Sequence, residues 1–517
     1  MLVVVLQEVL LKIILLVIFF AVMLTVGIVC RRHSTNVNGF VLGGRNVGPW
    51  LSAFAYGTSY FSAVIFIGYA GQFGWNFGLA STWIGLGNAF IGSLLAWVVL
   101  GRRTRLLTQK LTSSTMPEFF GKRFDSKPLK ILAAAIVFIF LIPYTASLYN
   151  GLSRLFTMAF PGISFTVCVV VMALLTGIYV IVGGYMATAV NDFIQGIIMI
   201  VGIITVIIAM LNNNGGFSQA LDSLAHVNDA AVSTQPGVFS SFFGPDPLSL
   251  FCVVILTSLG TWGLPQMVQK FYAIKDEKSI GKGTLISTVF AIVVAGGCYF
   301  LGGFGRLYAD KIDTSTNFFD TIIPTMLQLL NNDFLMGIVI ILVLSASMST
   351  LSSLVLTSSS TLTLDLIKGN LMKKMTEKKQ LLIMRIFVFV FIAISAGIAI
   401  YQTESSNENV KYIAQFMGVS WGALAGAFLA PFIYGLYWKK TTKFACFASM
   451  IFGISIMTAN MFMRSAFPDF LQSPINCGAF AMLAGLVIVP VVSLVSKRPD
   501  KNKVDDMFKC YSENADA

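Results

Sequence analysis

Thirteen apolar segments of membrane-spanning length divide this chain, and they constrain its fold more than any other feature. A helix that crosses a bilayer needs about 20 predominantly apolar residues. Runs of that length fall near 9–30, 50–71, 79–100, 130–157, 163–184, 190–211, 248–271, 283–304, 334–366, 381–402, 411–437, 444–463 and 474–496. Only 11% of the 517 residues are charged, against about 25% in a typical soluble domain. The sequence therefore predicts an all-α polytopic membrane protein with 13 transmembrane helices.

The basic residues predict how these spans are oriented. Loops on one side of the expected membrane hold 28 of the 35 lysines and arginines, and loops on the other side hold four. Cytoplasmic loops carry an excess of Lys and Arg. We therefore expect a multi-pass protein of the cell membrane, with its N-terminus outside and its C-terminal tail (497–517) in the cytoplasm. This distribution accounts for the net charge of +12. We therefore expect the lipid bilayer as a partner and no nucleic-acid partner.

Histidine and cysteine are too scattered to form the common catalytic and metal centres. His33 and His226 are the two histidines, both in polar stretches, and the seven cysteines include no CxxC pair. Zinc sites and Ser-His-Asp triads draw on such residues. We expect no enzyme, no catalytic residues and no resident cofactor.

Two spans contain glycine or proline where a continuous helix is disfavoured. A Gly-Thr-Ser run (57–59) interrupts the span at 50–71, and two glycines and a proline (260–265) interrupt the span at 248–271. Glycine destabilises a helix interior, and proline removes a backbone donor. Paired breaks in two halves of a membrane protein predict an inverted-repeat secondary transporter. Five spans per half give repeat one at 50–211 and repeat two at 248–437, with span 1 at 9–30 before them and spans 12 and 13 at 444–496 after them.

The span at 334–366 carries hydroxyl groups at a density that hydrocarbon disfavours. Twelve of the nineteen residues in 345–363 are Ser or Thr, and such groups are costly in lipid unless they face protein, water or an ion. Ala346, Ser349 and Thr350 lie at i, i+3 and i+4, so they share one helix face. Uncharged oxygen ligands favour a monovalent cation such as Na⁺ over Ca²⁺. Close packing of small residues between helices is the structural alternative.

Several motifs resemble the sodium:solute symporter family, whose bacterial members carry proline, pantothenate, galactose or sialic acid together with sodium. The matching stretches are FVLGGRNVGPW (40–50), FIGYAG in the first broken span, TMPEFFGKRF (115–124), IYVIVGGYMATAVNDFIQG (178–196), SMSTLSS (347–353) and PFIYGLYWKK (431–440). The GGYMA and NDFIQG segments together with SMSTLSS are specific to the family. The resemblance implies a LeuT-like core of two inverted five-helix repeats, thirteen spans and transport by alternating access.

The resemblance also implies where sodium binds. The family's site uses two backbone carbonyls at the break in the first core helix, and a carbonyl and two hydroxyls from the eighth. In this sequence the matching positions are Thr58 and Phe61, and Ala346, Ser349 and Thr350. Unwound carbonyls are free acceptors, and the hydroxyls complete a set of five ligands without a fixed negative charge.

Asp192 is the candidate residue of the ion pathway. The resemblance places it on the cytoplasmic route by which sodium leaves. Asn191-Asp192 also suits the capping of a helix that begins near Phe193, and this alternative stays open at the level of the sequence.

The identity of the solute is the least constrained feature. Tyr144 matches a tyrosine that contributes to solute binding in the proline carriers, and it is expected to contact the solute. Tyr60 stands where those carriers have an aspartate, and there the chain resembles the pantothenate carriers. Thr261 and Trp262 lie close to the second break and complete the set of candidate solute-binding residues, although Trp262 is expected to pack between helices.

Together these features predict a sodium-coupled symporter for a small organic solute, with an amino acid such as proline as the first choice. Pantothenate or another monocarboxylate is the alternative solute. A transporter-like membrane sensor is the alternative from a different class of function. The expected partners are Na⁺, the solute and the bilayer, and no obligate protein partner is expected.

Overall fold

Helices make up the regular structure of the described part of the chain. The computed structural model describes residues 2–160, 162–312, 318–330, 333–368, 370–372, 374–404 and 413–512. Within these ranges, extended segments pair only through isolated bridges. The α-helices are α1 (Leu2–Cys30), α2 (Val37–Leu42), α3 (Pro49–Tyr60), α4 (Ala70–Phe77), α5 (Thr82–Gly87), α6 (Arg102–Lys110), α7 (Met116–Arg123), α8 (Lys127–Ala159), α9 (Phe165–Asn213), α10 (Phe217–Ala225), α11 (Pro247–Ser258), α12 (Pro265–Ala273), α13 (Glu277–Ala291), α14 (Gly297–Gly302), α15 (Phe318–Gln328), α16 (Asp333–Thr361), α17 (Glu377–Glu404), α18 (Ile413–Tyr437), α19 (Lys443–Phe462), α20 (Asp469–Gln472), α21 (Pro474–Val495) and α22 (Lys501–Phe508).

Wider and tighter helical turns continue several of these helices. The π-helical segments are Val64–Tyr69, Asn88–Leu95, Trp97–Gly101, Ile292–Gly296 and Leu362–Ile367. The 3₁₀ segments are Arg31–His33, Gly43–Arg45, Gly78–Ser81, Val238–Ser240, Leu259–Gly263, Gly305–Lys311, Arg464–Ala466 and Lys509–Tyr511.

The apolar helices of the described residues form up to eleven membrane segments, two of which have about twice the usual length. Ten helices are long and apolar enough to span a membrane, and one bent helix pair gives the eleventh. Val64–Lys110 and Phe165–Asn213 contain 47 and 49 residues, whereas one crossing takes about 20. Gly78 and Gly184, at φ values of 61° and 58°, interrupt the two long segments. Each segment has room for two crossings, and the total of thirteen stays a prediction, as do the repeat boundaries.

The first broken span unwinds later than the sequence predicts. Helix α3 continues through Gly57 to Tyr60, and Phe61 is extended, with φ −95° and ψ 126°. Ser62 follows outside any helix. Gly57 serves packing, because a Cβ there would lie 2.5 Å from the ring of Phe290. The break therefore falls four to five residues after the glycine, where no glycine or proline marks it.

The second broken span unwinds where the sequence predicts. Helix α11 leads into a 3₁₀ turn over Leu259–Gly263, and Leu264 is extended before α12 begins at Pro265. The two halves meet at 48°. Gly263 permits a close approach to α18, since a Cβ there would lie 2.8 Å from the amide nitrogen of Leu429.

A parallel bridge ties the two broken spans together at one end. The Val47 N–H donates to the carbonyl oxygen of Ala273 over 3.1 Å, and the Lys275 N–H donates to that of Val47 over 3.0 Å. Val47 lies just before α3, and Ala273 is the last residue of α12. The start of the first broken span and the end of the second are therefore held side by side.

Glycines on α18 allow it to pack closely against α19 and α21. A Cβ at Gly422 would lie 2.8 Å from Cα of Gly478, and one at Gly426 would lie 3.0 Å from Cβ of Ala481 and 3.4 Å from Cα of Gly453. Small residues at four-residue spacing let helix backbones approach in this way. This packing fixes the position of α18, which also contacts the second break.

Candidate functional site

Five oxygen atoms from α16 and the first break converge inside the protein. The Thr350 hydroxyl lies 3.3 Å from the carbonyl oxygen of Thr58, 3.2 Å from that of Phe61 and 3.1 Å from that of Ala346. The Ser349 hydroxyl lies 3.1 Å from the carbonyl oxygens of Thr58 and Ala346. All five residues are buried. The structure thus brings together the complete set of residues that the family resemblance indicates for sodium.

The distances between the hydroxyl and carbonyl oxygens are close to those between neighbouring ligands of one cation. Oxygen ligands about 2.4 Å from a cation, at right angles to one another, are about 3.4 Å apart. The hydroxyl-to-carbonyl distances here are 3.1 to 3.3 Å. Each carbonyl oxygen has two lone pairs, and a hydroxyl rotates to present its own. None of the five groups carries a charge, so the arrangement suits a monovalent cation.

The backbone explains why these oxygens are accessible. Phe61 is extended, so the last turn of α3 loses the helical N–H groups that would otherwise bond to its carbonyls. On α16, the i, i+3, i+4 spacing places the Ser349 and Thr350 hydroxyls beside the Ala346 carbonyl of the preceding turn. One helix face and one unwound point therefore supply all the ligands.

Asp192 lies inside α9 and faces a lysine. Its side chain is fully buried, and its Oδ2 is 3.7 Å from Nζ of Lys270, whose side chain is 3% exposed. The nearest interruption of α9 is at Gly184, so Asp192 lies about two turns inside the helix. The helix-capping alternative for Asp192 therefore does not hold.

Lys270 is a further residue of this region, although its position in the sequence suggests a basic loop. All nine residues of α12, Lys270 included, are buried. Its Nζ donates to Oγ of Ser353 over 2.9 Å, and that oxygen lies 2.8 Å from Oγ of Ser59. These contacts connect Asp192 to the residue next to Thr58. The sequence feature that could have indicated its burial is a single lysine at the end of an apolar half-helix.

Tyr60 and Tyr144 both contact the indole ring of Trp421. The ring of Tyr60 stacks on it with centroids 6.1 Å apart, and the ring of Tyr144 meets it edge-on at 5.9 Å. The Tyr60 hydroxyl donates to the carbonyl oxygen of Thr257 over 2.7 Å. Two of the four candidate solute residues thus meet through a third aromatic residue. Trp421 could not be predicted from the sequence, because a tryptophan beside a glycine-rich packing face has no distinguishing pattern.

Thr261 and Trp262 stabilise the second break and its surroundings. The Thr261 hydroxyl donates to the carbonyl oxygen of Ser258 over 2.8 Å, within the unwound turn. The indole N–H of Trp262 donates to the carbonyl oxygen of Ile91 over 3.0 Å. Trp262 therefore packs between helices, as the sequence analysis expects.

Several buried polar side chains near this region have no hydrogen-bond partner among the described residues. Three of them are the hydroxyls of Ser62, at the first break, and Tyr144, and the side-chain amide of Gln266, just after the second break. Buried polar groups are nearly always paired, and an unpaired one costs about 1–3 kcal/mol. Donors and acceptors at both breaks are therefore available to a bound molecule. Of the three residues, the sequence analysis names Tyr144 as a candidate.

The sequence matches one transporter family along most of its length. The model of the sodium:solute symporter family covers residues 40–453. The chain belongs to the sodium:solute symporter family. The osmoregulated proline transporter of Bacillus subtilis is 29% identical over 492 residues, which are 94% of each protein. The sodium/proline symporter of Haemophilus influenzae is 28% identical over 504 residues, covering 95% of this chain and 96% of that protein.

A solved structure shares the fold of the present chain. It is that of a Na⁺-coupled sialic acid symporter in a substrate-bound, outward-open state, with a TM-score of 0.74 over 95% of this chain and 99% of that one. At 16% identity this likeness concerns the fold alone. It confirms the expected fold class, an all-helical membrane protein with a LeuT-like core.

Proposed function

We propose that this chain couples the entry of Na⁺ to the uptake of a small organic solute by alternating access, with a proline-like amino acid as the first choice. The observation that carries the proposal is the group of five uncharged oxygens between the first break and α16. Family membership and the names of the two relatives support it.

An uncharged sodium site suits a coupling ion. The ion has to bind from outside and leave on the inside, and a site without a fixed negative charge releases it readily. Each Na⁺ that enters with the membrane potential contributes about 2.3 kcal/mol per 100 mV, in addition to its concentration gradient. Thr58, Phe61, Ala346, Ser349 and Thr350 are the proposed ligands, and no other cofactor is required.

Asp192 is proposed to lie on the exit route of Na⁺. Ser59 adjoins the ligand Thr58, and polar contacts lead from it through Ser353 and Lys270 to Asp192. The loops at that end of the bundle carry most of the basic residues, so it is the cytoplasmic end by the positive-inside rule. The N-terminus is then outside and the C-terminus inside.

The solute is proposed to lie between the two breaks. Tyr60, Tyr144 and Trp421 offer aromatic surface for an apolar ring, as a pyrrolidine ring requires. Ser62 and Gln266 offer unpaired hydrogen-bonding groups, and the N-terminus of α12 adds a positive dipole end for a carboxylate. Thr261 and Trp262 contribute by shaping the second break.

A monocarboxylate such as pantothenate is the second candidate solute. The observation that favours it is Tyr60, which replaces the aspartate of the proline carriers and supplies no negative charge for a solute's ammonium group. A membrane sensor would use the same site to bind the solute without carrying it.

Uptake into proteoliposomes tests these candidates directly. Purified protein is reconstituted, a Na⁺ gradient is imposed, and uptake of radiolabelled L-proline and pantothenate is measured, with choline replacing Na⁺ at constant pH as the control. We expect concentrative, Na⁺-dependent uptake of L-proline and none of its methyl ester. Equal uptake in choline contradicts sodium coupling. Binding without uptake favours a sensor, and preference for pantothenate selects the second candidate.

A further inference from the structure

We propose that the ammonium group of Lys270 is a built-in cation, which holds Asp192 and Ser353 and so limits the protein to one Na⁺ in each transport cycle. The inference rests on the proposed sodium coupling and adds a residue that sets its stoichiometry. It concerns the polar cluster of Asp192, Lys270, Ser353 and Ser59, which adjoins the five-oxygen site.

The ammonium group is enclosed by groups that attract a cation. Nζ of Lys270 donates to the Ser353 hydroxyl over 2.9 Å and lies 3.7 Å from the carboxylate of Asp192. The ring of Tyr185 lies on another side, with its centroid 5.2 Å from Nζ. Aromatic faces attract cations at such distances. The side chains of Asp192 and Lys270 are 0% and 3% exposed, so water does not screen either charge.

The same cluster without the lysine has the composition of a cation site. Asp192 provides two carboxylate oxygens, and neither accepts a hydrogen bond from the residues that the structure describes. Ser353 and Ser59 add two hydroxyls that lie 2.8 Å from each other. Carboxylate and hydroxyl oxygens are the ligands that hard cations prefer. A buried carboxylate also requires a positive partner, because an isolated charge is very costly in a low-dielectric interior.

Lys270 supplies that partner from within the protein. Its charge is tethered to α12, so it neutralises Asp192 without being carried across the membrane. The five-oxygen site, by contrast, consists of uncharged groups and needs a mobile ion to be filled. The contact between Ser353 and Ser59 places the two cations next to each other, one fixed and one exchangeable. In this conformation a second Na⁺ at the cluster would have to displace the ammonium group. The proposed exit of Na⁺ past Asp192 therefore requires the first break and α16 to separate first.

Equilibrium binding of ²²Na⁺ to the purified protein in nanodiscs tests the proposal without requiring the solute. We expect one Na⁺ per wild-type protein and two per Lys270→Met protein, because the methionine fills similar space and leaves Asp192 and the serines to a second ion. Lys270→Arg, which keeps the positive charge, is the matched control and is expected to bind one. The Asp192→Asn/Lys270→Met double variant, with neither charge, is also expected to bind one.

The transport ratio gives an independent readout. At a sodium electrochemical gradient of about 60 mV, one Na⁺ supports about tenfold accumulation of a zwitterionic solute and two support about a hundredfold. We expect L-proline to accumulate about tenfold with the wild type and about a hundredfold with Lys270→Met.

Several outcomes would overturn the proposal. These are two Na⁺ per wild-type protein, one Na⁺ per folded Lys270→Met protein, or loss of Na⁺ binding in a folded double variant. If Lys270→Met does not fold, Lys270→Gln decides by the same count, since it also removes the ammonium charge and keeps Asp192: two Na⁺ support the proposal and one overturns it. Absence of any Na⁺ binding by the wild type is a different result, because it contradicts the proposed function itself.

Discussion

The hydroxyl oxygen of Thr350 lies 3.2 Å from the carbonyl oxygen of Phe61, although 289 positions separate the two residues in the chain. The contact joins a helix of the second half of the chain to the unwound point of the first half. Alternating access in this class of transporter moves one group of helices against another. If these oxygens hold Na⁺ as proposed, a relative movement of the two elements takes ligands away from the ion, and we expect ion occupancy to depend on conformation.

Removal of either hydroxyl at this point is expected to weaken Na⁺ binding. Ser349→Ala and Thr350→Ala should each raise the Na⁺ concentration for half-maximal uptake at least tenfold, because a hydrogen-bonding group that interacts with a charge contributes about 1.5–3 kcal/mol. The measurement is the Na⁺ dependence of solute uptake in proteoliposomes.

Ser360→Ala is the matched control for these two variants. Its hydroxyl is on the same helix, is buried, and donates to the carbonyl oxygen of Thr357 rather than toward the first break. We expect it to leave the Na⁺ dependence unchanged. Equal effects of the Ser360 and Thr350 substitutions would show that the hydroxyls act on helix packing and not on the ion.

That the five proposed sodium ligands come together was predictable, because much of the information is local. Ser349 and Thr350 follow Ala346 at helical spacing, and the family motif that contains them is continuous in sequence. The position of the break was less predictable. Gly57 points to it in the sequence, yet that glycine accommodates the ring of Phe290, and the chain unwinds at Phe61, whose residue type gives no such signal.

The residues that sequence analysis missed depend on contacts between distant segments. Lys270 looks like a loop residue when basic residues are counted along the chain. Only the packing of α12 against α3, α6 and α16 and the 3.7 Å contact with Asp192 on α9 reveal that it is buried. Trp421 lies next to a glycine used for helix packing, and its two tyrosine partners come from two other helices. Neither role is encoded in a pattern near the residue itself.

The aromatic cluster predicts a specific effect on solute affinity. Tyr144→Ala is expected to raise the KM for the solute at least tenfold and to leave the Na⁺ dependence intact, because it removes an edge-on contact with Trp421 and an unpaired hydroxyl. Aromatic pairs contribute about 0.5–1.5 kcal/mol beyond their buried area. Initial rates of uptake over a range of solute concentrations give the KM.

A pair of hydroxyl deletions separates solute contact from packing. Tyr144→Phe removes a buried hydroxyl that has no partner among the described residues. Tyr434→Phe removes a part-buried hydroxyl that donates to the carbonyl oxygen of Leu486 over 3.0 Å. We expect a raised KM in Tyr144→Phe alone. An unchanged KM in both Tyr144 variants would remove this residue from the solute site.

The distribution of basic residues predicts the orientation in the membrane. A cysteine at Thr234 should react with an impermeant maleimide in intact cells, whereas one at Lys374 should react only after permeabilisation. Both positions are exposed, and the native cysteines are buried except for Cys252, which is half-buried. Labelling in the opposite pattern would invert the assigned topology.

An ion pair at the other end of the bundle predicts a pH-dependent stability. Nη1 of Arg306 lies 2.9 Å from Oδ2 of Asp229, and its guanidinium lies over the ring of Phe239 at 3.7 Å. This contact fastens the loop between α10 and α11 to the segment after α14. The hydrogen bond from Arg306 lowers the pKa of the Asp229 carboxyl below its ordinary value.

Asp229→Asn should lower the free energy of unfolding by about 1 kcal/mol at neutral pH, a modest amount because the aspartate is one-third exposed. This change corresponds to a fall in Tm of about 2 °C or less. A lowered folded-state pKa stabilises the protein above the unfolded pKa of about 3.9, and this contribution is lost as the pH falls through the folded-state value. The difference in Tm between wild type and variant should therefore be constant down to about pH 5 and shrink below about pH 4.

Asp222→Asn, on a side chain that is 74% exposed, is the control and should leave the Tm unchanged. Thermal unfolding in detergent over this pH range measures both, and a difference that grows on acidification would contradict the assigned ion pair.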